Sequence, residues 1–380
     1  MKPLKILCGL ICLILLASQV WSMSHWNEQR GVYDDVCYLR QAHLFQRFGL
    51  RGFDTDILHD DDGYLAAKLK EIGFSSAAPP PCHTPMQASG KLVIQYPPGT
   101  GLLLALFPQG HQVIPLFVGA TVIIFSFALL GIVLASSTPA ILSAAVLGLL
   151  AIYLMINPAK ASYSMAPTMA ACALAGFLTA RLFASEPQRE RMWLTLALGL
   201  VLGLSVNFRL PNLFLSSGYF LFFLLAFLSS RKLEIASRGF GFGVAFVIGM
   251  APTLIANAIN AGSPFATTYG SADAVPPQFS FTIIKQYVTD MQFVLLLLAG
   301  ISIAYVFAAR SEGGVRRVAL VTVANLAVNL AFFLSHPLFT PYYMVPIAML
   351  SLWSVSFALL TGPAEAMGGK LIAQAADTRS

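Results

Sequence analysis

Residues 34 and 35 are adjacent aspartates in the stretch YDDVCYLRQAHLF. Neighbouring carboxylates repel, so one of such a pair holds its proton more tightly than an isolated acid. That property suits proton transfer. A single aspartate at this place has a simpler reading as a helix N-cap, where unpaired N–H groups and the helix dipole favour a carboxylate. Capping accounts for one of the pair and not for both. A second acidic group, Asp60-Asp61-Asp62, precedes Gly63. Hard cations take oxygen ligands, so a divalent cation is the one cofactor the chain suggests. The spacing matches no full calcium loop, and a solvated helix start is the simpler account.

What positions the pair is a membrane bundle. The chain has 380 residues, 57% apolar and 11% charged, with a mean hydropathy of +0.73. Soluble domains run near 45–50% apolar and about 25% charged. A spanning helix needs roughly 20 apolar residues. Ten segments approach that length: 6–21, 112–135, 139–156, 166–183, 193–208, 212–228, 239–258, 292–309, 318–334 and 342–360. The expected fold is therefore an all-α integral membrane protein with about 10 transmembrane helices. Residues 1–22 form an uncleaved first span, 23–111 a long extracytoplasmic loop with interfacial helices, 112–361 the bundle and 362–380 a cytoplasmic tail.

Lys and Arg in short loops set the orientation. With the N-terminus inside, the inner pieces hold Lys2, Lys5, Arg181, Arg189, Arg191, Arg231, Lys232, Arg238, Arg310, Arg316, Arg317, Lys370 and Arg379; the short outer loops hold only Lys160, Arg209 and Lys285. The formal charge of +6 is thus an inner-face anchor for anionic lipid and points to no nucleic acid. Every aspartate except Asp377, and all six histidines, fall outside. The spans carry almost no ionisable residue at mid-depth, where a conduction or proton path would need one. Any chemistry lies on the outer face of the cell (inner, cytoplasmic) membrane.

The outer loop has its own pattern. Tyr38, Ala42, Phe45 and Phe48 make one helical stripe, with Arg40 and Arg47 opposite, as in a helix lying in the interface. HDDDGYLAAKLKEIGF reads as a turn and a short helix, and Pro79-Pro80-Pro81 as a stiff extended connector. QYPPGTGLLLALF closes the loop with a turn and a short apolar run at the membrane surface. Cys37 and Cys82 both lie outside, where disulfides persist, and a bridge would tie the aspartate helix to the connector. Sequence alone does not fix that pairing.

Several motifs in this order, YDDVCYLRQAHLF, QYPPGTGLL, NFRLPNLF and NAINAGSPFATTYG, resemble the GT-C glycosyltransferases. The likeness is to the bacterial polyprenyl-phosphate-sugar branch related to protein O-mannosyltransferases and the lipid A aminoarabinose transferase. It covers most of residues 1–350 in layout. Two family features are absent: an acid in the short outer loop, here NPAKASYSMAPT, and Arg-Tyr entering the last span, here Pro341-Tyr342-Tyr343. The resemblance implies transfer of a sugar from a polyprenyl phosphate to a lipid, glycan or protein, with inversion. It assigns the general base to Asp34, with Asp35 next to it as the substitute. Cations at the outer surface would meet the departing lipid phosphate; Arg209 leads because its fork is bidentate, followed by Lys160 and Lys285. Tyr38, Tyr96 and His336 would contact substrate. Each has a plainer reading: an interfacial anchor for Arg209, interfacial aromatics for the tyrosines, an incidental loop residue for His336. A lipid-linked glycan carrier or flippase would instead need internal repeats and polar mid-depth residues, and the chain has only scattered asparagines such as Asn207, Asn257, Asn325 and Asn329. A non-catalytic membrane scaffold using the loop for partner binding is the third alternative.

Overall fold

The structure is a computed structural model. It describes residues 1–26, 35–73, 80–157, 162–184, 191–269, 276–309, 311, 313–336, 338–340 and 342–361. Asp34, Lys160 and the 362–380 tail lie outside the described residues.

The described chain is almost wholly helical. Seven helices are long and apolar enough to cross a membrane: α1 (Lys2–Ser24), α5 (Val113–Leu134), α6 (Thr138–Ile156), α7 (Met165–Ala184), α13 (Met291–Ala308), α14 (Gly313–Ser335) and the run Leu210–Ser230. That run is a 3-10 stretch, Leu210–Ser216, followed by α9 (Ser217–Ser230). An eighth candidate is the pair α10 (Leu233–Gly249) and α11 (Ala251–Ala261), bent by 54°. Two shorter apolar helices, α8 (Arg191–Val206) and α15 (Val345–Thr361), sit where the sequence pattern places the fifth and tenth segments.

Helix packing here depends on small residues, as expected where lipid removes the hydrophobic drive between helices. A Cβ on Gly203 of α8 would come 2.1 Å from the Phe246 carbonyl oxygen of α10, and one on Gly176 of α7 would come 2.4 Å from Trp353 Cβ of α15. These two pairs form the closest seams of the bundle. α1 runs antiparallel to α5: Lys5 Nζ donates to Val133 O at one end (2.6 Å), and Trp26 meets Phe117 edge-on at the other.

The long loop is a small ordered layer at that second end. It holds α2 (Asp35–Phe48), α3 (Tyr64–Glu71), a hairpin of β1 (His83–Met86) and β2 (Lys91–Ile94), and α4 (Gly99–Leu104). The strands pair antiparallel, with His83 opposite Ile94. Pattern reading misses the hairpin because each strand has four residues and β1 contains Pro85. Two asparagines fasten the layer to the bundle. Asn260, in α11, accepts from Thr55 N (2.9 Å) and donates to Phe53 O (2.8 Å). The Asn207 carbonyl accepts from Gly99 N (2.7 Å).

One expectation for the loop needs correction. α2 does not lie half-exposed in the interface: every residue from Asp35 to Phe45 is buried. Its tyrosine stripe faces the bundle, and Arg40, fully buried, faces the loop's own turns. The two faces differ in chemistry because both are covered, one by helices and one by backbone carbonyls.

Candidate functional site

α2 enters the site with Asp35. Its carboxylate is 2% exposed and accepts from Ser162 Oγ (2.9 Å) and the Tyr163 N–H (3.0 Å). Asp35 thereby ties α2 to the turn before α7. One helical turn on, Tyr38 is 4% exposed and stacks on Tyr96 with ring centroids 5.2 Å apart. Tyr96 in turn meets Tyr269 edge-on at 6.1 Å. Burial pushes the Tyr38 phenol well above its usual range, while a hydrogen bond with the Ser164 side chain and the nearby Arg209 charge pull the other way.

Arg209 follows α8 and is 6% exposed. Its guanidinium lies over the Tyr342 ring at 4.5 Å and the Tyr343 ring at 5.6 Å, and Nη1 donates to Met165 Sδ (2.9 Å). Among the described residues no carboxylate lies within ion-pairing distance of it. An isolated buried cation is costly, and aromatic faces recover only part of that cost. Tyr342 and Tyr343 form the platform for an arginine supplied by another helix end.

The QYPPGTG turn builds the wall between these parts. Gln41 Nε2 donates to Tyr96 O (2.8 Å). A Cβ on Gly101 would come 2.4 Å from Gln41 Cβ, and one on Gly99 would come 2.7 Å from the Asn207 backbone. Glycine at both places lets α4 press against α2 and the end of α8 at once. Beside the turn runs an apolar groove of about 350 Å³, lined by Leu103, Phe107, Leu116, Pro167, Ala170 and Phe208 among others. Phe208, one of the groove residues, directly precedes Arg209 in the chain.

Lys285 and His336 are not gathered in. Lys285 is exposed on α12 (Phe281–Thr289), and the half-buried His336 ring stacks on Phe332 at 5.6 Å. Among the described residues no hydrogen bond or ring contact joins either to Arg209 or Tyr38. Pattern reading gave no site role to Ser162, Ser164, Tyr342 or Tyr343, although it noted the acid-free loop and the tyrosine pair themselves.

The other clusters are structural. Cys37 and Cys82 form a disulfide with Cα atoms 6.5 Å apart, within the usual span for such a bridge. It ties α2 to the start of β1. Beside it, His83 Nδ1–H donates to Pro81 O (2.7 Å), and its Nε2 accepts from Arg40 Nη1 (3.0 Å). Cys37, Cys82 and His83 are the one group with metal-ligand spacing among the described residues. Its two sulfurs are bonded to each other and its free imidazole lone pair faces a guanidinium, so the set does not fit a cation. Arg40 also donates to Thr55 O (2.9 Å) and Asp56 O (2.8 Å), with Asp60 at 3.6 Å. The Asp60-Asp61-Asp62 run is likewise committed. Asp60 accepts from Leu65 N, Asp61 pairs with Arg47, and Asp62 pairs with His43 (2.7 Å).

No family model, no curated protein and no solved structure matches the chain. What the site can do is set by its own chemistry: a buried carboxylate, a buried cation with no ion-pair partner among the described residues, and aromatic faces, with an apolar groove lined by the neighbouring Phe208.

Proposed function

We propose that the chain is a membrane glycosyltransferase that moves a sugar from a polyprenyl phosphate to a lipid, glycan or protein acceptor on the extracytoplasmic face. Arg209 carries the reading: a buried guanidinium with no carboxylate among the described residues, at the outer end of its helix. Phe208, its neighbour in sequence, lines an apolar groove, and a cation next to such a groove suits an amphiphile with a phosphate head and a hydrocarbon tail. As the anomeric carbon–oxygen bond breaks, charge grows on the phosphate, and a preorganised cation in a dry site stabilises it best. The acceptor's proton passes to the Asp34-Asp35 carboxylate pair. Tyr96 and Tyr269 offer ring faces for a sugar. The charge asymmetry of the short loops puts this end of the bundle outside.

The test is transfer by purified protein in lipid nanodiscs. Arg209→Gln should lower kcat by about 10²–10³-fold, the usual loss of one preorganised donor, with the helical content unchanged. Comparison by mass spectrometry of surface glycans and lipids from cells with and without the gene should reveal the missing product. Wild-type transfer by the Arg209→Gln protein would remove the phosphate assignment.

A further inference from the structure

Two leucines of the outer layer are left strongly exposed where that layer joins the bundle: Leu50 at 78% and Leu106 at 73%. An exposed leucine gains free energy when an apolar phase covers it. Leu50 belongs to a 3-10 turn, Gly49–Phe53, that directly follows α2. Gly49 takes φ +57°, the left-handed conformation in which a helix commonly ends. Gly52 brings the chain back against α2, where a Cβ would come 2.7 Å from the Leu44 and Phe45 backbone. Between the two glycines stand Leu50 and Arg51, both exposed. The turn is pinned. Phe53 O accepts from Asn260 Nδ2 (2.8 Å), in the last turn of α11, and the Phe53 ring packs with Phe45 and Ala256. Gln46 Nε2 donates to Ala105 O (3.2 Å) and Phe107 O (2.6 Å), the carbonyls on either side of Leu106. Leu106 also lines the apolar groove along α5, α7 and α8. Both leucines are thus fixed beside the ends of bundle helices. The acids of this part of the layer are matched: Asp54 to Lys91 (2.7 Å), Asp60 to Arg40 (3.6 Å), Asp61 to Arg47 and Asp62 to His43 (2.7 Å). Among the described residues the Arg51 side chain makes no ion pair.

We propose that this turn is a foot resting in the outer leaflet of the bilayer, with Leu50 and Leu106 among the upper acyl chains and Arg51 at the lipid phosphates. Three observations select lipid rather than another protein as the cover. The patch is continuous with the lateral face of the bundle: Leu106 belongs both to it and to the groove between helices, and α11 beside it exposes Ile255 and Ile259. The patch is also small. A stable protein interface takes about 800 Å² from each partner, far more than two leucines and an arginine supply. Finally, an apolar side chain next to an uncommitted cation matches an interface that is hydrocarbon below and phosphate above. The proposal stands apart from the transferase reading. It also accounts for the burial of α2: the helix is covered on both faces, and the turn after it meets the bilayer instead. A foot held by glycines and backbone bonds fixes the height of α2, and of Asp35 and Tyr38 on it, above the hydrocarbon.

The experiment uses full-length protein in nanodiscs of phosphatidylcholine and phosphatidylglycerol. Leu50→Cys, Leu106→Cys and, as a reference exposed at the end of α3, Lys70→Cys each carry a bimane label. The native free cysteines are buried, and the Cys37–Cys82 bridge is kept oxidised. Iodide in the water should quench the labels at 50 and 106 about tenfold less than the label at 70, as burial of a leucine-sized group requires. A nitroxide high on the lipid acyl chain should quench 50 and 106 and spare 70. In Leu106→Cys, nitroxide-bearing phosphatidylglycerol should quench about fivefold more than nitroxide-bearing phosphatidylcholine, the pull of one arginine at an anionic surface. Arg51→Gln should erase that preference. Iodide quenching at 50 and 106 equal to that at 70 overturns the foot. Protection from iodide and from lipid nitroxide alike would put the leucines under protein, and overturns it as well. Equal quenching by the two lipids, or a preference that survives Arg51→Gln, overturns the phosphate contact.

Discussion

His83 gives the loop a pH dependence whose size follows from its surroundings. The ring is 6% exposed. Burial, and then the Arg40 charge 3.0 Å from Nε2, pull its pKa from 6.5 to about 4, against the Pro81 hydrogen bond. In the folded loop His83 takes a proton only below about pH 4; with the loop opened it takes one below 6.5. Between these limits the opened form holds more protons, so stability falls as pH drops through the window and is flat above it. At 1.36 kcal/mol per pH unit the full effect is about 3 kcal/mol. Hydrogen exchange of peptides spanning 35–48 and 80–96, converted to opening free energies after correction for intrinsic rates, should report that loss in the wild-type protein. His83→Gln keeps one donor for Pro81 O and one acceptor for Arg40 but cannot ionise, so its profile over the same range should be nearly flat. Equal slopes in the two proteins would refute the reasoning, because the titrating group would then lie elsewhere.

Two further predictions concern stability. Removing the Cys37–Cys82 bridge, which closes a sequence separation of 45, by paired serine substitution should cost the loop about 4 kcal/mol on a chain-entropy basis. Protease sensitivity of 35–96 in native nanodiscs measures it; unchanged sensitivity, with or without reductant, would mean the layer holds without the bond. Gly203→Ala should cost about 1–3 kcal/mol, since the new methyl meets a backbone oxygen that cannot rotate away. Gly300→Ala in α13, where nothing lies within 4 Å of the added carbon, should leave the melting temperature in detergent unmoved. Equal shifts for the two variants would contradict the close seam between α8 and α10.

Much of the bundle was legible because a run of apolar residues long enough to cross a bilayer has few other uses. The short helix of HDDDGYLAAKLKEIGF and the brief surface helix after QYPPG were legible for a similar reason: caps, breakers and short period-matched runs are local. The site was legible only in part. Asp35, Tyr38, Tyr96 and Arg209 stand close in space, but their partners Ser162, Ser164, Tyr342 and Tyr343 come from segments with no local signature. A serine beside a tyrosine means nothing until the fold places it against a carboxylate. Lys285 and His336 failed for the converse reason. Their types suit a phosphate, but types do not fix distance. The burial of Arg40 was equally invisible, since a helix pattern shows which residues share a face and not what covers it.

The asparagines read as scattered stand where two helices break off. α8 stops at Val206 and α15 begins at Val345. Both break off where the chain turns inward to deliver Arg209 and the two tyrosines above it. Irregular backbone at that depth survives only if its polar groups find partners. Asn207 Oδ1 accepts from Thr253 N (2.9 Å), and its amide donates to Gly249 O (2.8 Å), across the bend between α10 and α11. Asn212 donates to Ser205 O (2.8 Å) and to Thr168 Oγ1 (3.0 Å). Asn325 and Asn329 of α14 donate to Leu215 O (2.9 Å) and Phe214 O (3.0 Å). Gln292 accepts from Met344 N (2.7 Å) and donates to Thr340 O (3.2 Å), holding the turn that carries Tyr342 and Tyr343. Polar residues inside these helices therefore mark no conduction path. They satisfy the broken backbone around Arg209 and its tyrosine platform, which a chain of continuous helices could not have placed there.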